Sequence, residues 1–212
     1  SMKKFNTLLL LFTALISNTS IAQSISTDNK YIFKRGDFNG IGKWYMGREI
    51  AYVMGYEGIG WLERSEREKE ENVSNLIQNM NIKSHDTIAD IGAGSGYHAF
   101  RMASLAKQGL VYAVDIQREM LMAIEKTKES NKIRNIETIL GSDKSIYLPK
   151  DSVDKILMVD VYHEFNFPKE MIASIKNALK PNGQLFLIEY RGEDSKVPIK
   201  KIHKMTEKQA VK

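Results

Sequence analysis

The chain of 212 residues contains no cysteine. This absence excludes disulfide bonds, thiolate metal sites and cysteine nucleophiles at once. Histidine is also scarce, and no two histidines are spaced i, i+4 as in a helical metal site; the four are His85, His98, His163 and His203. We therefore expect no metal site.

Dense charge of one sign is lacking as well. The net charge is +5, but the lysines and arginines are spread along the chain without a run of five like charges. A nucleic-acid-binding surface would need a denser basic stripe, so no nucleic-acid partner is indicated. Hydrophobic residues make up 42% and charged residues 27%, a balance typical of a globular domain.

The apolar run near the N-terminus, residues 8–16, is too short to span a bilayer comfortably. It follows Lys3 and Lys4 and precedes Ser20-Ile21-Ala22, a pattern typical of a secretory signal cleaved after Ala22. Residues 1–22 thus predict export to a periplasmic or membrane-anchored location, with membrane contact only through this segment. The alternative is an ordinary amphipathic helix on a cytoplasmic protein.

Residues 23–80 are expected to form a lead-in and a helical cap. Residues 23–43 are polar and dotted with glycine, which indicates irregular structure. Residues 44–56 are interpreted as a short helix and residues 61–80 as a longer one. In the longer helix one face carries the apolar residues Val73, Leu76, Ile77 and Met80.

Residues 81–212 alternate between short apolar strands and amphipathic helices. The strands are predicted at 87–91, 110–115, 136–140, 153–159 and 184–190, and the helices at 97–107, 118–131 and 168–179. A further helix begins at Lys204. This alternation predicts an α/β fold, a Rossmann-like, doubly wound and mostly parallel sheet with helices on both faces.

The strongest motif is Asp-Ile-Gly-Ala-Gly-Ser-Gly at residues 90–96, between the first strand and the first helix of this region. The dinucleotide pattern G-x-G-x-x-G would place a glycine where Tyr97 stands. The carboxylate of Asp90 would repel a pyrophosphate, but it can accept hydrogen bonds from an ammonium group. S-adenosylmethionine carries a sulfonium and an ammonium and no phosphate, so it fits better than NAD.

Two further acidic sites follow the next two strands. Asp115 ends the second strand, where a carboxylate can accept both hydroxyls of a ribose. Ser142 and Asp143 follow the third strand, where an acid can accept a bond from an adenine amine. The alternatives are a helix N-cap for Asp115, ordinary turn chemistry for Ser142 and Asp143, and a purely structural turn for the glycines.

Residues 63–191 resemble class I S-adenosylmethionine-dependent methyltransferases. Residues 90–96 are similar to the first motif of that family, 114–116 to its acidic ribose site and 179–185 to its turn before the fifth strand. The resemblance implies S-adenosylmethionine as cofactor and methyl transfer to an unidentified small-molecule acceptor. The implied cofactor-binding residues are Asp90, Gly92, Ala93, Gly94, Ser95, Gly96, Asp115, Ile116, Ser142, Asp143 and Asp160.

The resemblance also implies an acceptor side at the end of the fourth strand, residues 159–165. Asp160 and His163 are the candidate catalytic residues, since Asp160, Tyr162, His163 and Glu164 can orient an acceptor or take its proton. The candidate substrate-binding residues are Tyr45, Arg48, Tyr162 and His163. In the alternative interpretation, His163 and Glu164 only hydrogen-bond the following loop.

Two expectations remain in tension with an active enzyme. The family usually has seven strands and only five are visible here, so we expect the last strands to be missing. An exported enzyme would also lack a supply of S-adenosylmethionine, which is made in the cytosol. The alternative functions are a non-catalytic nucleoside-binding sensor or scaffold and, less well supported, a nicotinamide-dependent oxidoreductase; the oligomeric state stays open.

Overall fold

The computed structural model describes residues 10–14 and 31–211. The first part contains four strands, β1 (Leu10–Ala14), β2 (Ile32–Phe33), β3 (Gly40–Tyr45) and β4 (Arg48–Ala51). A 3-10 turn, Tyr56–Gly58, then leads into three short helices, α1 (Ile59–Leu62), α2 (Arg67–Glu71) and α3 (Val73–Asn79). Most of the signal-like segment 1–22 and of the early lead-in lies outside the described residues, as does Lys212.

The second part alternates as expected. Its elements are β5 (Thr87–Ile91), α4 (Tyr97–Leu105), β6 (Leu110–Asp115), α5 (Arg118–Asn131), β7 (Ile136–Leu140), β8 (Val153–Val159), a 3-10 turn Tyr162–Glu164, α6 (Pro168–Ala178), β9 (Leu179–Glu189), a 3-10 turn Lys201–His203 and α7 (Glu207–Val211). The predicted strands β5 to β8 are confirmed residue for residue. Strand β9 begins earlier than predicted because Leu179 already pairs with Val153.

Strands β5 to β9 form a parallel sheet in the spatial order β9-β8-β5-β6-β7. The chain moves outward from β5 through β6 to β7 and then crosses back to β8 on the other side of β5. The strand order therefore reverses between β5 and β8. In open α/β sheets a crevice forms at this point, outside the carboxyl ends of the strands, and it commonly binds the ligand.

Strand β1 lies antiparallel to β9 at one edge of this sheet, with Leu10 opposite Glu189 and Ala14 opposite Leu185. It belongs to the apolar run that the sequence analysis interpreted as the core of a signal. The sheet thus has six strands instead of the five counted from the sequence, because the antiparallel edge strand comes from the beginning of the chain.

The helix predicted over 44–56 is wrong. Strands β3 and β4 form a hairpin there, and β2 adds to it as a third antiparallel strand. The turn between β3 and β4 contains Met46 and Gly47, both with positive φ (49° and 82°). Two consecutive residues with positive φ form a two-residue hairpin turn whose twist matches that of the flanking strands. Such residues cannot lie inside a right-handed helix.

The single helix predicted over 61–80 is also wrong, because the structure divides it. Helices α2 and α3 meet at Asn72, which adopts the left-handed conformation with φ 49° and ψ 51°. Asparagine tolerates this conformation better than most residues and commonly ends helices. The apolar face predicted for α3 is nevertheless correct, since Val73, Leu76 and Ile77 are buried.

The core has two apolar layers, one on each face of the sheet. The layer that includes Met102 of α4 and Ile124 of α5 covers one face, and the layer that includes Met171 and Ile175 of α6 covers the other. This arrangement confirms the predicted α/β fold. Within the described residues, no helix combines the length and the apolar character that crossing a membrane requires.

Candidate functional site

A cavity of about 390 Å³ opens at the carboxyl edge of the sheet. Residues that follow β5, β6, β7 and β8 form its floor, at the point where the strand order reverses. Residues 51–54 together with Trp61, Leu62 and Arg64 form its roof. The volume lies within the range of roughly 300–1,000 Å³ found for small-molecule pockets.

The glycines of the loop after β5 are required by its backbone. Gly92, Gly94 and Gly96 all have positive φ, at 73°, 55° and 83°. A Cβ atom on Gly92 would lie 2.5 Å from Cγ2 of Val161, so the side chain could not be added without a shift. The loop is therefore tight enough to bring its backbone against the cavity, as predicted.

Four of the five backbone N–H groups of residues 92–96 are already used within the protein. Gly92 and Ala93 both donate to the carbonyl oxygen of Val114, at 2.9 and 3.0 Å. Gly94 donates to Oδ2 of Asp115 at 2.9 Å, and Gly96 donates to the carbonyl oxygen of Ala93 at 2.8 Å. A loop that cradles phosphates needs such amides free to face the ligand. This loop thus does not offer the phosphate cradle of a dinucleotide site.

Asp90 lies in the cavity wall and is only 2% exposed. Its Oδ2 atom is buried without a hydrogen-bond partner among the described residues. Burial raises the pKa of Asp90 to about 7, and the charge of Asp115 adds to this effect while Arg67 opposes it. A buried carboxylate oxygen without a partner is a strong acceptor for a positively charged group.

Asp115 also lines the cavity, beside the more exposed Ile116. Besides the bond from Gly94, it accepts a bond from the Gln117 N–H to Oδ1 at 2.9 Å. Burial raises the pKa of this carboxyl group although these bonds lower it. The N-cap residue of α5 is Gln117, so Asp115 is not the helix N-cap that the alternative interpretation predicted. Each of its carboxylate oxygens can still accept a second bond.

The loop after β7 contributes Ser142 and Asp143 to the rim of the cavity. Ser142 Oγ accepts bonds from the N–H groups of Lys144 and Ser145, at 3.2 and 3.1 Å, and so holds the turn. Asp143 is exposed. Of the two, Asp143 is the residue with an acceptor free to point at a ligand in the cavity mouth.

Two of the predicted cofactor residues, Ser95 and Gly96, do not line the cavity. The hydroxyl of Ser95 donates to Oε1 of Glu63. Gly96 is the N-cap residue of α4 and accepts the bond from the Phe100 N–H. Both residues support the loop from behind and do not form its binding surface.

Asp160 follows β8 in the left-handed conformation, with φ 54°, and it lines the cavity. Its side chain is 34% exposed, but its Oδ1 atom is buried and has no hydrogen-bond partner among the described residues. Burial raises the pKa of Asp160 well above its usual value; His163 opposes this shift and Glu189 adds to it. Asp160 thus lies at the cavity, as predicted, but its buried Oδ1 atom faces the ring of His163, 3.7 Å from Nδ1.

His163 lies behind the cavity wall and is only 1% exposed. Its Nδ1 atom is 2.8 Å from Oε2 of Glu189, and its Nε2 atom is 3.1 Å from Nδ1 of His203. Burial alone would lower the pKa of His163, but the carboxylate of Glu189 outweighs this effect and raises it to about 9. The predicted contact between His163 and an acceptor is not present, because its ring faces these two residues.

The other predicted substrate-binding residues also lie outside the cavity lining. Arg48 donates to the carbonyl oxygen of His163 at 3.1 Å, which joins β4 to the turn Tyr162–Glu164. The ring of Tyr162 packs at right angles on that of Phe165, and Tyr45 stacks on Tyr31 with their centroids 5.3 Å apart. These residues hold the N-terminal part on the core.

The residue of that part that meets the site most directly is Met54, which the sequence analysis missed. Its N–H donates to Oε1 of Glu164 at 3.2 Å, and its carbonyl oxygen accepts a bond from Nε2 of Gln117 at 3.0 Å. We call this pair of bonds the Met54 bridge. It ties the roof to both sides of the cavity floor. No motif in the sequence indicates it, because two of its four atoms are backbone atoms of Met54 and the other two belong to the ordinary polar side chains of Glu164 and Gln117.

Glu164 lines the cavity on the acceptor side. Burial raises its pKa to about 7, against the opposing effects of His163 and the Met54 N–H. The sequence analysis considered Glu164 for the acceptor side without choosing it. Its position, more than that of His163, makes it the buried titratable group of this turn that faces the cavity.

A group of charged side chains from the N-terminal helices closes the other end of the cavity. Arg64 and Arg67 both pair with Glu71, at 2.9 Å in each case, and Tyr190 donates to the same carboxylate at 3.0 Å. Both arginines line the cavity. The position of these side chains at the cavity depends on how α2 packs, and the sequence pattern does not indicate it.

Residues 82–212 match the family model described as "Methyltransferase domain". The chain belongs to this methyltransferase domain family. The match begins just before β5 and includes every strand end that forms the cavity floor. The residues of the predicted first motif thus lie where the methyltransferase domain has its sheet crevice.

Individual methyltransferases resemble the chain over its second part. It is 31% identical over 119 residues to the ubiquinone/menaquinone biosynthesis C-methyltransferase UbiE of Wigglesworthia glossinidia brevipalpis, which covers 55% of this chain and 48% of that protein. The chain spans about half the length of the curated relatives it matches.

Solved structures show the same fold. An S-adenosylmethionine-dependent methyltransferase from Aquifex aeolicus superposes with a TM-score of 0.70 at 23% identity, over 74% of this chain and 85% of that chain. Coclaurine N-methyltransferase bound to N-methylheliamine and SAH superposes with a TM-score of 0.50 at 18% identity, over 64% and 42%. The family match identifies the chain as a methyltransferase domain, and its fold is that of class I S-adenosylmethionine-dependent methyltransferases.

Proposed function

We propose that the cavity binds S-adenosylmethionine and that the protein transfers its methyl group to a small-molecule acceptor. The observation that carries this proposal is the buried Oδ2 atom of Asp90, which has no hydrogen-bond partner among the described residues. It lies in a wall where four of the five amides of residues 92–96 are already bonded. A site of this kind favours a cation without phosphates. The coclaurine N-methyltransferase structure, which contains SAH, supports the choice of this nucleoside.

The methionine part of the cofactor would lie between the first loop and the arginines. Its ammonium group would donate to Oδ2 of Asp90, which removes the cost of an unpaired buried acceptor. Its carboxylate would face Arg64 and Arg67, which line the same end of the cavity. The ammonium group of the methionine part would thus face a carboxylate, and its carboxylate would face two guanidinium groups.

The nucleoside part would extend along the ends of β6 and β7. Asp115 would accept the ribose hydroxyls through the lone pairs that the Gly94 and Gln117 amides leave free. Ile116 would pack on the face of the adenine, and Asp143 would accept a bond from its exocyclic amine. This assignment directs the sulfonium toward Asp160 and Glu164.

Methyl transfer is a single displacement. A lone pair of the acceptor attacks the methyl carbon, the carbon–sulfur bond breaks, and its electron pair stays on sulfur to give S-adenosylhomocysteine. In-line positioning of the acceptor supplies much of the acceleration, since the sulfonium is already activated. The carboxylate of Asp160, which lines the cavity and whose side chain is 34% exposed, would hold an N–H or O–H group of the acceptor in that line.

A small acceptor fits the closed roof. The Met54 bridge connects residues 51–54 to both sides of the floor, and the cavity volume of about 390 Å³ lies near the lower end of small-molecule pockets. Once the cofactor occupies its part, little enclosed space remains. A polypeptide or nucleic-acid acceptor would require the roof to open.

The test is transfer of a radiolabelled methyl group from S-adenosylmethionine into a cell extract that has been divided by size. We expect label in the small-molecule fraction with the wild-type protein and far less with Asp160→Ala. Glu137→Gln, a change on the exposed side of β7, serves as the matched control and should transfer label like the wild type.

Label confined to the protein or nucleic-acid fraction would contradict the small acceptor. Tight binding of S-adenosylmethionine without any transfer would contradict the enzymatic role and favour a nucleoside-binding sensor or scaffold.

A further inference from the structure

We propose that His163, Glu164 and His203 form a binding site for a divalent transition-metal ion of the zinc type at the base of the acceptor side. Their ligand atoms, Nε2, Oε1 and Nδ1, all lie within 4.8 Å of one another. The sequence analysis expected no metal site, because these histidines are far apart along the chain. The proposal is independent of the proposed methyl transfer.

The three atoms already have a spacing close to that of ligands on a common ion. Nε2 of His163 is 3.1 Å from Nδ1 of His203 and 3.8 Å from Oε1 of Glu164. Two ligands of a tetrahedral zinc ion, each about 2.0–2.1 Å from the metal, lie about 3.3 Å apart. An ion can therefore be inserted with small side-chain adjustments.

On the other side of the His163 ring, the contact of Nδ1 with Glu189 fixes the orientation that metal binding through Nε2 requires. Its Nδ1 atom is 2.8 Å from Oε2 of Glu189, and both side chains are almost completely buried. An ionised carboxylate only accepts hydrogen bonds, so Nδ1 keeps its hydrogen when the ion displaces the proton that Nε2 shares with Nδ1 of His203. Metal-binding histidines are commonly oriented by such a carboxylate on their second nitrogen.

The backbone holds His203 firmly at this place. The Met205 N–H donates to the carbonyl oxygen of Tyr190 at 3.0 Å, and the Gly192 N–H donates to that of Met205 at 2.7 Å. These bonds return the chain to the end of β9, where Glu189 also lies. Two ligands thus come from the turn after β8 and the third from the turn after β9.

The donor set selects the kind of ion. Two imidazole nitrogens and one carboxylate oxygen suit zinc and neighbouring first-row divalent metals, whereas magnesium and calcium prefer oxygen ligands throughout. The second candidate group, Asp160, His163 and Glu189, would need Nδ1 as the ligand atom. That group offers one imidazole nitrogen and two carboxylates, whereas the first offers two imidazole nitrogens, so the first group suits zinc better.

The experiment uses the full chain without an affinity tag, treated with a chelator and then titrated with Zn²⁺ in a calorimeter. We expect one ion bound per chain. His203→Ala and the bulkier His203→Gln should each weaken binding by about 10–100-fold or more, since each removes one ligand, and Glu189→Gln should weaken it by about 10–100-fold through ring orientation. His85→Ala, at an exposed histidine outside the group, is the matched control and should bind like the wild type.

Circular dichroism of the metal-free variants shows whether they fold, so that loss of binding is not confused with loss of structure. Co²⁺ provides a second signal, because its visible absorption changes when nitrogen ligands surround it. Equal Zn²⁺ affinity in the folded His203 variants and the wild type would overturn the proposal, as would a wild-type protein that binds Mg²⁺ but not Zn²⁺.

Discussion

Replacing Asp90 by asparagine should raise the free energy of unfolding relative to the wild type as the pH increases, and it should weaken cofactor binding. The wild-type carboxyl group is buried, and its pKa is about 7 against an ordinary value of 3.8. For an acid whose pKa is raised on folding, stability falls as pH rises between these two values, because the folded protein holds the proton more tightly. Asparagine carries no charge and should remove this dependence.

The magnitude follows from the shift in pKa. A pKa raised from 3.8 to about 7 corresponds to a loss of at most about 4 kcal/mol in the free energy of unfolding as the pH rises. About 2.5 kcal/mol of this is lost between pH 5 and pH 8. Denaturant unfolding at several pH values measures it. We expect the stability of Asp90→Asn relative to the wild type to increase by about this amount over that interval.

Binding of S-adenosylmethionine should weaken in the same variant. Loss of a hydrogen bond to a charged group costs about 1.5–3 kcal/mol, which corresponds to roughly 10–150-fold in affinity. Asp154→Asn is the control. Burial would raise the pKa of Asp154, but bonds from the Thr87 N–H and Lys180 lower it, so this variant should lose stability at neutral pH. A flat stability difference for Asp90→Asn from pH 5 to pH 8, with unchanged affinity, would refute the reasoning.

Three further variants test other parts of the site. Asp115→Ala should weaken cofactor binding by about 1.5–3 kcal/mol in calorimetry, and unchanged affinity would remove its ribose role. Gly92→Ala should lower the free energy of unfolding by at least about 1–2 kcal/mol because of its positive φ, and Val161→Ala in the same chain should recover the part of this loss due to the close Cβ contact. Gln117→Ala removes one bond of the Met54 bridge and should speed cofactor release in stopped-flow measurements, with about 0.5–1.5 kcal/mol lost; a release rate equal to that of the wild type would show that the bridge does not retain the cofactor.

Local patterns predicted the second part of the chain well. Buried strands such as Thr87–Ile91 are short apolar runs between turn residues, and their order along the chain predicts the parallel sheet and its crevice. The first part could not be predicted in this way. Residues 44–56 contain apolar residues compatible with a helix, and the hairpin there depends on a turn at Met46 and Gly47.

The residues of the site also divide into those that the sequence predicts and those that it does not. Asp90 and Asp115 lie in the last two residues of β5 and β6, and Asp160 follows β8 directly, so sequence position alone places them at the cavity. His163 and His203 are 40 residues apart, and only the return of the chain beside β9 brings them together. Side chains that reach the site from packed helices or through backbone bonds leave no periodic pattern in the sequence.

Isothermal titration of the wild-type protein with S-adenosylmethionine, S-adenosylhomocysteine and NAD tests the central claim most directly. The account predicts one-to-one binding of both sulfur nucleosides and no saturable binding of NAD. The reason is that Asp90 at the end of β5 has a carboxylate oxygen without a partner among the described residues, and that most amides of the loop after β5 are already bonded. Saturable binding of NAD, with neither sulfur nucleoside bound, would contradict it.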